Sequence, residues 1–416
     1  MEGLSVVSMH GYNPLRPFTE VFCMPYASAL RGTQNRIAGF RPKSELNGAY
    51  VIFGGSRGMR VWQSLMALAL CFGCTAAARA GVGAAAPLKS PWDLKPVKVS
   101  DASFHCAKMQ ALPQDIVASD FYSDAKHSVI DEKRKAAYDA AKDLYTSVTD
   151  EAERAADEFQ KNGSAAAAAC VMQVLETQAA ANAMAGSMSS NQANYVQNWT
   201  LGGLAVSYLK VRTAGPALGA TPEQMQAVQA WMKTVGQQVA QWFDERRAKG
   251  TTDSQNNHYY WAGFSVMATG IAVNDQGLYD WGAGTFKDGV GRIAADGTLP
   301  LEMARGQRAL HYHLFALAPL VTMAEMGEAN GQDLYSYDHN KLHLLVSRTL
   351  AGLVDNHYFA TKAGTAQDTP ENGRIKSDDV VWVTPYLRRF PDSGIQQLLN
   401  KGGSRPFGYL GGLPPA

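Results

Sequence analysis

Two long stretches without proline, in which apolar residues recur every three or four positions, limit this chain's fold more than any other feature. They cover residues 131–160 and 165–188, and the second is rich in alanine. Such a period places the apolar side chains along one face of an α-helix. Asn162, Gly163 and Ser164 separate the stretches, which is typical of one helix ending and another beginning.

The same pattern continues through most of the remaining sequence. It predicts further helices over residues 193–212, 222–249, 258–274, 279–293, 306–329 and 339–354. The connections, such as Gly215-Pro216 and Asn330-Gly331, are short and turn-like. No stretch alternates for long enough to require a sheet, so we expect an all-α protein. Helices joined in this way form a bundle, a solenoid or a closed toroid.

Composition excludes two classes of protein. Of the 416 residues, 46% are hydrophobic and 18% are charged, which indicates a globular chain with a sizeable core rather than a disordered one. Lys and Arg number 38 against 37 Asp and Glu, so no overall basic field exists to attract nucleic acid. We therefore expect no nucleic-acid partner.

Residues 57–80 have the layout of a secretory signal peptide, with a basic start, an apolar run and small residues ending in Ala78-Arg79-Ala80. The apolar run, residues 65–72, is far shorter than the roughly 20 residues that span a bilayer. We interpret residues 1–58 as a mis-annotated extension upstream of a true start at Met59, and residues 59–80 as the signal peptide. The mature protein would be periplasmic or secreted, without a membrane span.

This interpretation leaves two cysteines in the mature chain. Cys23, Cys71 and Cys74 would leave with the leader, and Cys106 and Cys170 would remain. The two are either bridged or buried as free thiols, and an oxidising compartment favours the bridge.

Residues 256–261 place two amides, an imidazole and three aromatic rings at the start of a predicted helix, as N-N-H-Y-Y-W. An Asn before a helix is commonly a cap, and aromatic side chains are commonly core. The cluster is therefore a candidate site, but a helix cap followed by core aromatic residues explains it equally well.

A second polar cluster covers residues 302–313 and includes Arg305, Arg308, Tyr312 and His313. If Arg305 and Tyr312 are both helical, their spacing of seven places them on one face, two turns apart. Arg308 and Tyr312 have equally the spacing of an ordinary surface pair. His311 and His313 point apart on a helix, so we expect no metal site and no cofactor.

The two clusters together resemble the paired signature of the alginate lyases of polysaccharide lyase family 5. The resemblance includes the separations, 47 residues from His258 to Arg305 and seven from Arg305 to Tyr312. Similar blocks lie near Tyr122, Trp199, Asp296 and Trp382, so it spans residues 104–391. It implies an (α/α) toroid, an incomplete α/α barrel of antiparallel helix pairs, over residues 104–400. Residues 81–103 would be a lead-in linker and residues 401–416 a C-terminal tail.

The resemblance also implies β-elimination at a 4-O-linked uronate. Asn257 and Arg305 would neutralise the carboxylate that flanks the acidic C5 proton. Tyr312 would take that proton and return one to O4, provided that Arg305 or His258 lowers its pKa. His258 would orient these groups, or act as the base when the proton lies on the opposite face.

Further residues are assigned to substrate binding. Tyr122 and Lys126 match a lid region, although the family often has Lys just before Tyr there. The remaining candidates are aromatic rings for sugar stacking and cationic groups for further carboxylates: Trp199, Tyr259, Tyr260, Trp261, Arg308, His313, Arg388 and Arg389. For Tyr260 and Trp261, core packing is an equal alternative.

The expected partner is an anionic polyuronate polysaccharide, alginate, and polymannuronate is the preferred form. We expect the enzyme to be a monomer. A polyglucuronate or broad polyuronate lyase is the alternative. An inverting glycoside hydrolase using Glu302 and Asp296 remains open, as does a non-catalytic uronate-binding protein. A similarly spaced cysteine pair in the family adds support for a bond between Cys106 and Cys170.

Overall fold

The structure is a computed structural model that describes residues 86–368, 380–392, 394–397 and 406–415. The predicted extension, residues 1–58, and the predicted signal peptide, residues 59–80, lie outside the described residues. Over the ranges that are described, no helix combines the length and the apolar character needed to cross a membrane.

All eight long helices predicted from the periodicity are present. The described residues also form three shorter helices, and the order along the chain is α1 Glu132–Asn162, α2 Ala165–Ala180, α3 Asn191–Val211, α4 Pro222–Ala248, α5 Asn257–Val273, α6 Gln276–Gly291, α7 Pro300–Met303, α8 Ala309–Ala329, α9 Tyr337–Val354, α10 His357–Ala363 and α11 Val383–Arg389.

Local sequence signals explain where several of these helices begin and end. The Asp131 and Ser164 side chains accept hydrogen bonds from the first turns of α1 and α2. Gly163 between these helices has φ of 80°, and a Cβ there would lie 1.9 Å from the Lys98 carbonyl oxygen. α2 ends at Ala180, well before residue 188, because the chain reverses at Asn182, where φ is 50°. That early end could not be predicted from composition, since alanine continues beyond it.

The helices form two layers. α1, α3, α5 and α8 pack successively against one another as an inner layer, while α2, α4, α6 and α9 lie outside them. The inner helices α3, α5 and α8 are buried almost all round, which is why their sequences are apolar on every face. Extended pairing among the described residues is limited to isolated bridges. The predicted all-α class and α/α toroid are therefore confirmed.

The inner helices run parallel to each other. Near their C-terminal ends, Gln160 donates to the carbonyl of Lys210, and Arg212 donates to the carbonyl of Ile271. The N-terminal ends consequently meet at the opposite face of the toroid, which we call the N-terminal face. Because helix N-termini carry partial positive charge, this face favours anions.

The lead-in packs onto the toroid. Trp92 is buried, Asp93 forms an ion pair with Arg212, and the Leu88 N–H donates to Asn274 Oδ1. These contacts hold the described part of the lead-in across the C-terminal ends of the inner helices.

The C-terminal segment, residues 406–415, packs against α1 and α3 rather than extending away from them. The buried Lys210 ammonium donates to the Gly411 carbonyl and pairs with Asp157, and Asp157 also accepts from the Leu413 N–H. The segment that the sequence suggests as a tail therefore contributes to the interior of the domain.

Cys106 and Cys170 form a disulfide with Cα atoms 5.5 Å apart, so the predicted bond is confirmed and the free-thiol alternative is wrong. The bond ties the extended segment before α1 to α2 and closes a loop of 64 residues. We expect its removal in a Cys106→Ala/Cys170→Ala double variant to lower the free energy of unfolding by about 4 kcal/mol, because the unfolded chain regains loop entropy. Urea denaturation of both proteins measures this difference. Equal midpoints and slopes would show that the bond does not contribute to stability.

Candidate active site

Tyr312 and Arg305 lie against each other at the N-terminal face. The guanidinium carbon of Arg305 is 3.5 Å from the centre of the Tyr312 ring, and Tyr312 is only 6% exposed. Arg305 precedes α8 and is joined to it by a 3-10 turn through Gly306, whose φ is 60°. The predicted proximity of the two residues is therefore present, but it results from a turn rather than from a shared helix face.

The Tyr312 hydroxyl forms a short hydrogen bond with the hydroxyl of Tyr122, and Arg308 Nη1 donates to Tyr122 at 3.0 Å. Burial raises the pKa of Tyr312; the charge of Arg305 opposes this effect without overcoming it. The condition under which Tyr312 would act as the base, that Arg305 or His258 lowers its pKa, is therefore not met in the free protein. Tyr312 is a neutral hydroxyl in the free protein at neutral pH.

His258 lies in the first turn of α5, stacked on the ring of Tyr195 with centroids 3.8 Å apart. The Tyr195 hydroxyl in turn donates to Asp253 at 2.6 Å, which fixes the ring beneath the imidazole. Burial, with a further contribution from Arg305, lowers the pKa of His258 to about 3. The imidazole is therefore neutral at physiological pH and can accept a hydrogen bond.

Asn257, the residue before His258, is fully buried and held by a carboxylate. Its backbone N–H and its side-chain Nδ2 donate to the two oxygens of Glu302 at 2.7 and 2.8 Å. Burial raises the pKa of Glu302 to about 7, against the opposing charge of Arg305. From the sequence, Glu302 was expected only as a hydrolase carboxylate; its contact with Asn257 joins residues 45 positions apart and has no local signal.

Residues 121–130, which we call the lid segment, lie over Arg305 and Gln307. Arg305 donates to the carbonyl of His127 through Nη2 at 2.5 Å, and Gln307 donates to that of Ser128 at 3.0 Å. Asp124 organises the segment by accepting several hydrogen bonds, which outweigh the effect of burial and lower its pKa to about 2.

Of the two substrate residues predicted in the lid segment, only one contacts the site. Tyr122 reaches the site through its contact with Tyr312, whereas Lys126 is exposed on the surface of the segment.

Trp199 lies beside His258, with the centres of the two rings 6.1 Å apart. One face of the indole is covered by Tyr409 of the C-terminal segment, with ring centroids 4.9 Å apart and planes nearly parallel. Lys142 Nζ donates to the Tyr409 hydroxyl at 3.2 Å. Tyr409 was missed because its contact with α3 depends on the path of the C-terminal segment, which no local pattern indicates.

Three of the predicted stacking residues are core residues. The exposed fractions of Tyr259, Tyr260 and Trp261 are 3%, 1% and 0%. The Trp261 Nε1–H donates to the carbonyl of Phe315, and the Tyr259 hydroxyl accepts from Arg247 on α4. Their assignment to sugar stacking is wrong because these rings have no face open to a ligand.

Three predicted cationic residues have partners within the fold instead of facing the site. Arg388 and Arg389 both pair with the buried carboxylate of Glu325, beside a cavity of about 770 Å³ near the C-terminal ends of the inner helices. His313 is fully buried, and its Nε2 accepts from the Leu299 N–H. Their assignment to substrate binding is wrong, because these side chains bind other residues of the protein and stabilise the fold.

The carboxylates that a hydrolase would need are already engaged. Glu302 accepts hydrogen bonds from Asn257, while Asp296 accepts hydrogen bonds from Lys362, Tyr358 and Thr298. This arrangement leaves neither carboxylate facing the site as a general acid or base.

Within the described ranges, the residue group with metal-ligand spacing is Cys106, Glu151 and Cys170. Its two sulfur atoms are joined in the disulfide and are therefore not thiolate ligands.

Comparison with known proteins gives consistent similarities. The family model described as Alginate lyase matches residues 115–359, a range that includes both site clusters. A polysaccharide lyase of Stenotrophomonas maltophilia is 37% identical over 303 residues, covering 72% of this chain and 86% of the relative. An alginate lyase of Cobetia marina is 32% identical over 333 residues, covering 78% and 85%.

Solved structures show the same fold. A histidine-to-alanine variant of alginate lyase A1-III complexed with tetrasaccharide aligns with a TM-score of 0.66 at 22% identity, covering 78% of this chain and 88% of that one. Alginate lyase A1-III from Sphingomonas species A1 aligns with a TM-score of 0.61 at 22% identity, covering 79% and 90%. At this level of identity the likeness concerns the arrangement of the helices.

Proposed function

The chain belongs to the alginate lyase family, and from this membership we propose that its N-terminal face cleaves 4-O-linked uronate polymers by β-elimination. The protein is thus a polysaccharide lyase, an enzyme that acts on alginate. One observation in particular supports the proposed site: the Tyr312 hydroxyl, the Arg305 guanidinium and the His258 imidazole converge where the inner helices begin.

In the proposed reaction, Arg305 and Asn257 bind the uronate carboxylate next to C5. The C5 proton becomes acidic only when charge that develops on this carboxylate is stabilised, and a planar guanidinium suits that role. As C5 loses its proton, the C4–O4 bond breaks, a C4=C5 double bond forms and O4 takes up a proton. The positive ends of the inner helices add to the stabilisation.

Tyr312 is the proposed proton carrier. Its hydroxyl is neutral in the free enzyme, so a proton must leave it before it can act as the base at C5. The hydrogen-bonded Tyr122 hydroxyl, itself bonded to Arg308, offers a route for that proton and a cation that stabilises the resulting charge. The same hydroxyl then returns a proton to O4.

His258 is the proposed orienting group. Its low pKa keeps the imidazole neutral, so it can hold the uronate without competing with Arg305 for the carboxylate. For a polymer whose C5 proton lies on the opposite face, as in guluronate, His258 rather than Tyr312 would be the base.

We propose polymannuronate as the preferred substrate. A polyglucuronate or broad polyuronate lyase is the alternative; the Stenotrophomonas relative has the less specific name polysaccharide lyase. The test is to incubate the purified mature chain separately with polymannuronate, polyguluronate and polyglucuronate and to follow the ultraviolet absorbance of unsaturated ends. We expect the fastest rise with polymannuronate. New reducing ends without absorbance would indicate hydrolysis and would contradict the proposed reaction.

We further propose that Met59 initiates the working protein and that the mature enzyme begins near Gly81 in the periplasm. The reason is that the signal-like residues then stand at an N-terminus, where export requires them. Expression from Met59 followed by N-terminal sequencing of periplasmic protein should give a start close to Gly81. Exported protein that retains residues 1–58 would contradict this proposal.

A further inference from the structure

Asn257 presents an arrangement that its proposed role does not explain. Its Nδ2 donates to Glu302, so one of the two amide hydrogens is already committed. Its Oδ1 is buried and has no hydrogen-bond partner. A carboxylate ligand needs a donor, whereas the unpaired atom of this amide is an acceptor.

The charges around Asn257 also change when a polyuronate binds. In the free site the ionised Glu302 is balanced by Arg305, three residues later in the chain. A bound uronate brings a second carboxylate to the same cation, and two negative charges sharing one buried cation raise the pKa of a carboxyl group. Protonation of Glu302 would remove one of the two negative charges, so that Arg305 could pair with the uronate carboxylate alone.

We propose that Glu302 is a positioning residue that takes up a proton when the polymer binds and thereby turns the amide of Asn257. The protonated carboxyl donates to Asn257 Oδ1, and Nδ2 is released toward the uronate carboxylate. The Asn257 backbone N–H remains bonded to the other carboxyl oxygen in both states. The proton comes from solvent and no covalent bond changes. This inference rests on the proposed function, because it takes Asn257 as a ligand of the uronate carboxylate.

The groups that face Glu302 are consistent with this exchange. Tyr260 on α5 has a hydroxyl whose pKa is raised by burial, so near neutral pH it adds no charge. Arg305 is the cation of the site, and Asn257 supplies both hydrogen bonds. Glu302 has a pKa of about 7 in the free protein, whereas that of His258 is about 3, so Glu302 can exchange a proton near neutral pH.

The test measures binding in a Tyr312→Phe background, where turnover does not interfere. Calorimetry with a mannuronate tetrasaccharide, at pH 6 and pH 8 and in two buffers of different ionisation enthalpy, gives affinity and proton uptake together. We expect affinity about tenfold weaker at pH 8 than at pH 6, and uptake approaching one proton at pH 8. Uronate carboxylates and His258 do not titrate in this range, so neither produces the change.

Adding Glu302→Gln should abolish both effects. The Gln amide can accept from the Asn257 N–H and donate to Asn257 Oδ1, so it reproduces the protonated state at every pH. This variant should bind at pH 8 as tightly as its parent does at pH 6. His105→Gln, at an exposed histidine whose carbonyl contacts Arg154 away from the N-terminal face, is the matched control and should retain the pH dependence.

Absence of proton uptake in the parent, or its persistence in Glu302→Gln, would overturn the inference. If Glu302→Gln does not fold, the infrared difference spectrum of the parent decides the question, since binding must then produce a protonated-carboxyl band. An Asn257→Leu variant tests the underlying assumption separately. Undiminished binding in that variant would contradict the role proposed for Asn257, whichever way Glu302 behaves.

Discussion

Tyr312→Phe should abolish production of unsaturated ends while leaving polymer binding nearly unchanged. The substitution removes the hydroxyl that would carry the proton but keeps the ring that packs against Arg305 at 3.5 Å. Losing a proton-transfer group typically costs about 10²- to 10⁴-fold in rate. The loss should therefore appear in kcat, while Kd measured by calorimetry stays within a few-fold of the wild-type value.

Tyr279→Phe is a suitable control for this variant. Tyr279 on α6 is also a buried tyrosine, and its hydroxyl has no hydrogen-bond partner, so the same chemical change occurs away from the N-terminal face. We expect normal turnover in Tyr279→Phe. Near-normal turnover in Tyr312→Phe would show that Tyr312 is not the proton carrier and would make His258 the leading candidate for the base.

Arg305→Ala should damage turnover and affinity together. Arg305 would hold the uronate carboxylate in both the ground state and the transition state, it lies against Tyr312, and it donates to the lid segment at His127. Removing a charged hydrogen bond costs about 1.5–3 kcal/mol in binding, or roughly 10- to 150-fold in affinity. Loss of transition-state stabilisation should lower kcat by a further factor of about 10²–10³.

Two companion variants separate charge, geometry and nonspecific effects at Arg305. Arg305→Lys keeps the charge without the planar fork, so we expect only partial recovery of kcat. Arg247→Ala removes a partly exposed arginine that pairs with Asp288 and should leave the kinetics unchanged. If Arg305→Ala changed affinity but not kcat, Arg305 would be a binding group that does not stabilise the transition state.

Helix positions and the two polar clusters could be predicted because their signals are local. The three-to-four residue period determines which side of each helix is apolar, and Asp131, Ser164 and Thr221 identify helix starts through hydrogen bonds within one turn. The pairing of the clusters required more than periodicity. It came from the resemblance of their residues and separations to a known family.

The sequence was least informative about which polar and aromatic side chains face the site. Trp261 and Trp199 both occur in apolar helices beside polar residues, yet Trp261 is enclosed by the toroid while Trp199 adjoins His258. When a helix is apolar on all sides, its sequence has no polar side to indicate which face is exposed to a ligand. The exposure of these rings depends on the neighbouring helices rather than on the residues themselves.

Periodicity and capping act over short distances in the chain, and they were sufficient to predict the all-α class and the order of the helices. Three contacts became known only from the packing of the helices. Glu302 accepts from Asn257, Tyr409 covers Trp199, and Arg388 and Arg389 form ion pairs with Glu325. The fold also raises the pKa of Tyr312, since the effect of burial exceeds that of the Arg305 charge. Desolvation and long-range contacts depend on how every helix packs, and no segment of sequence contains that information.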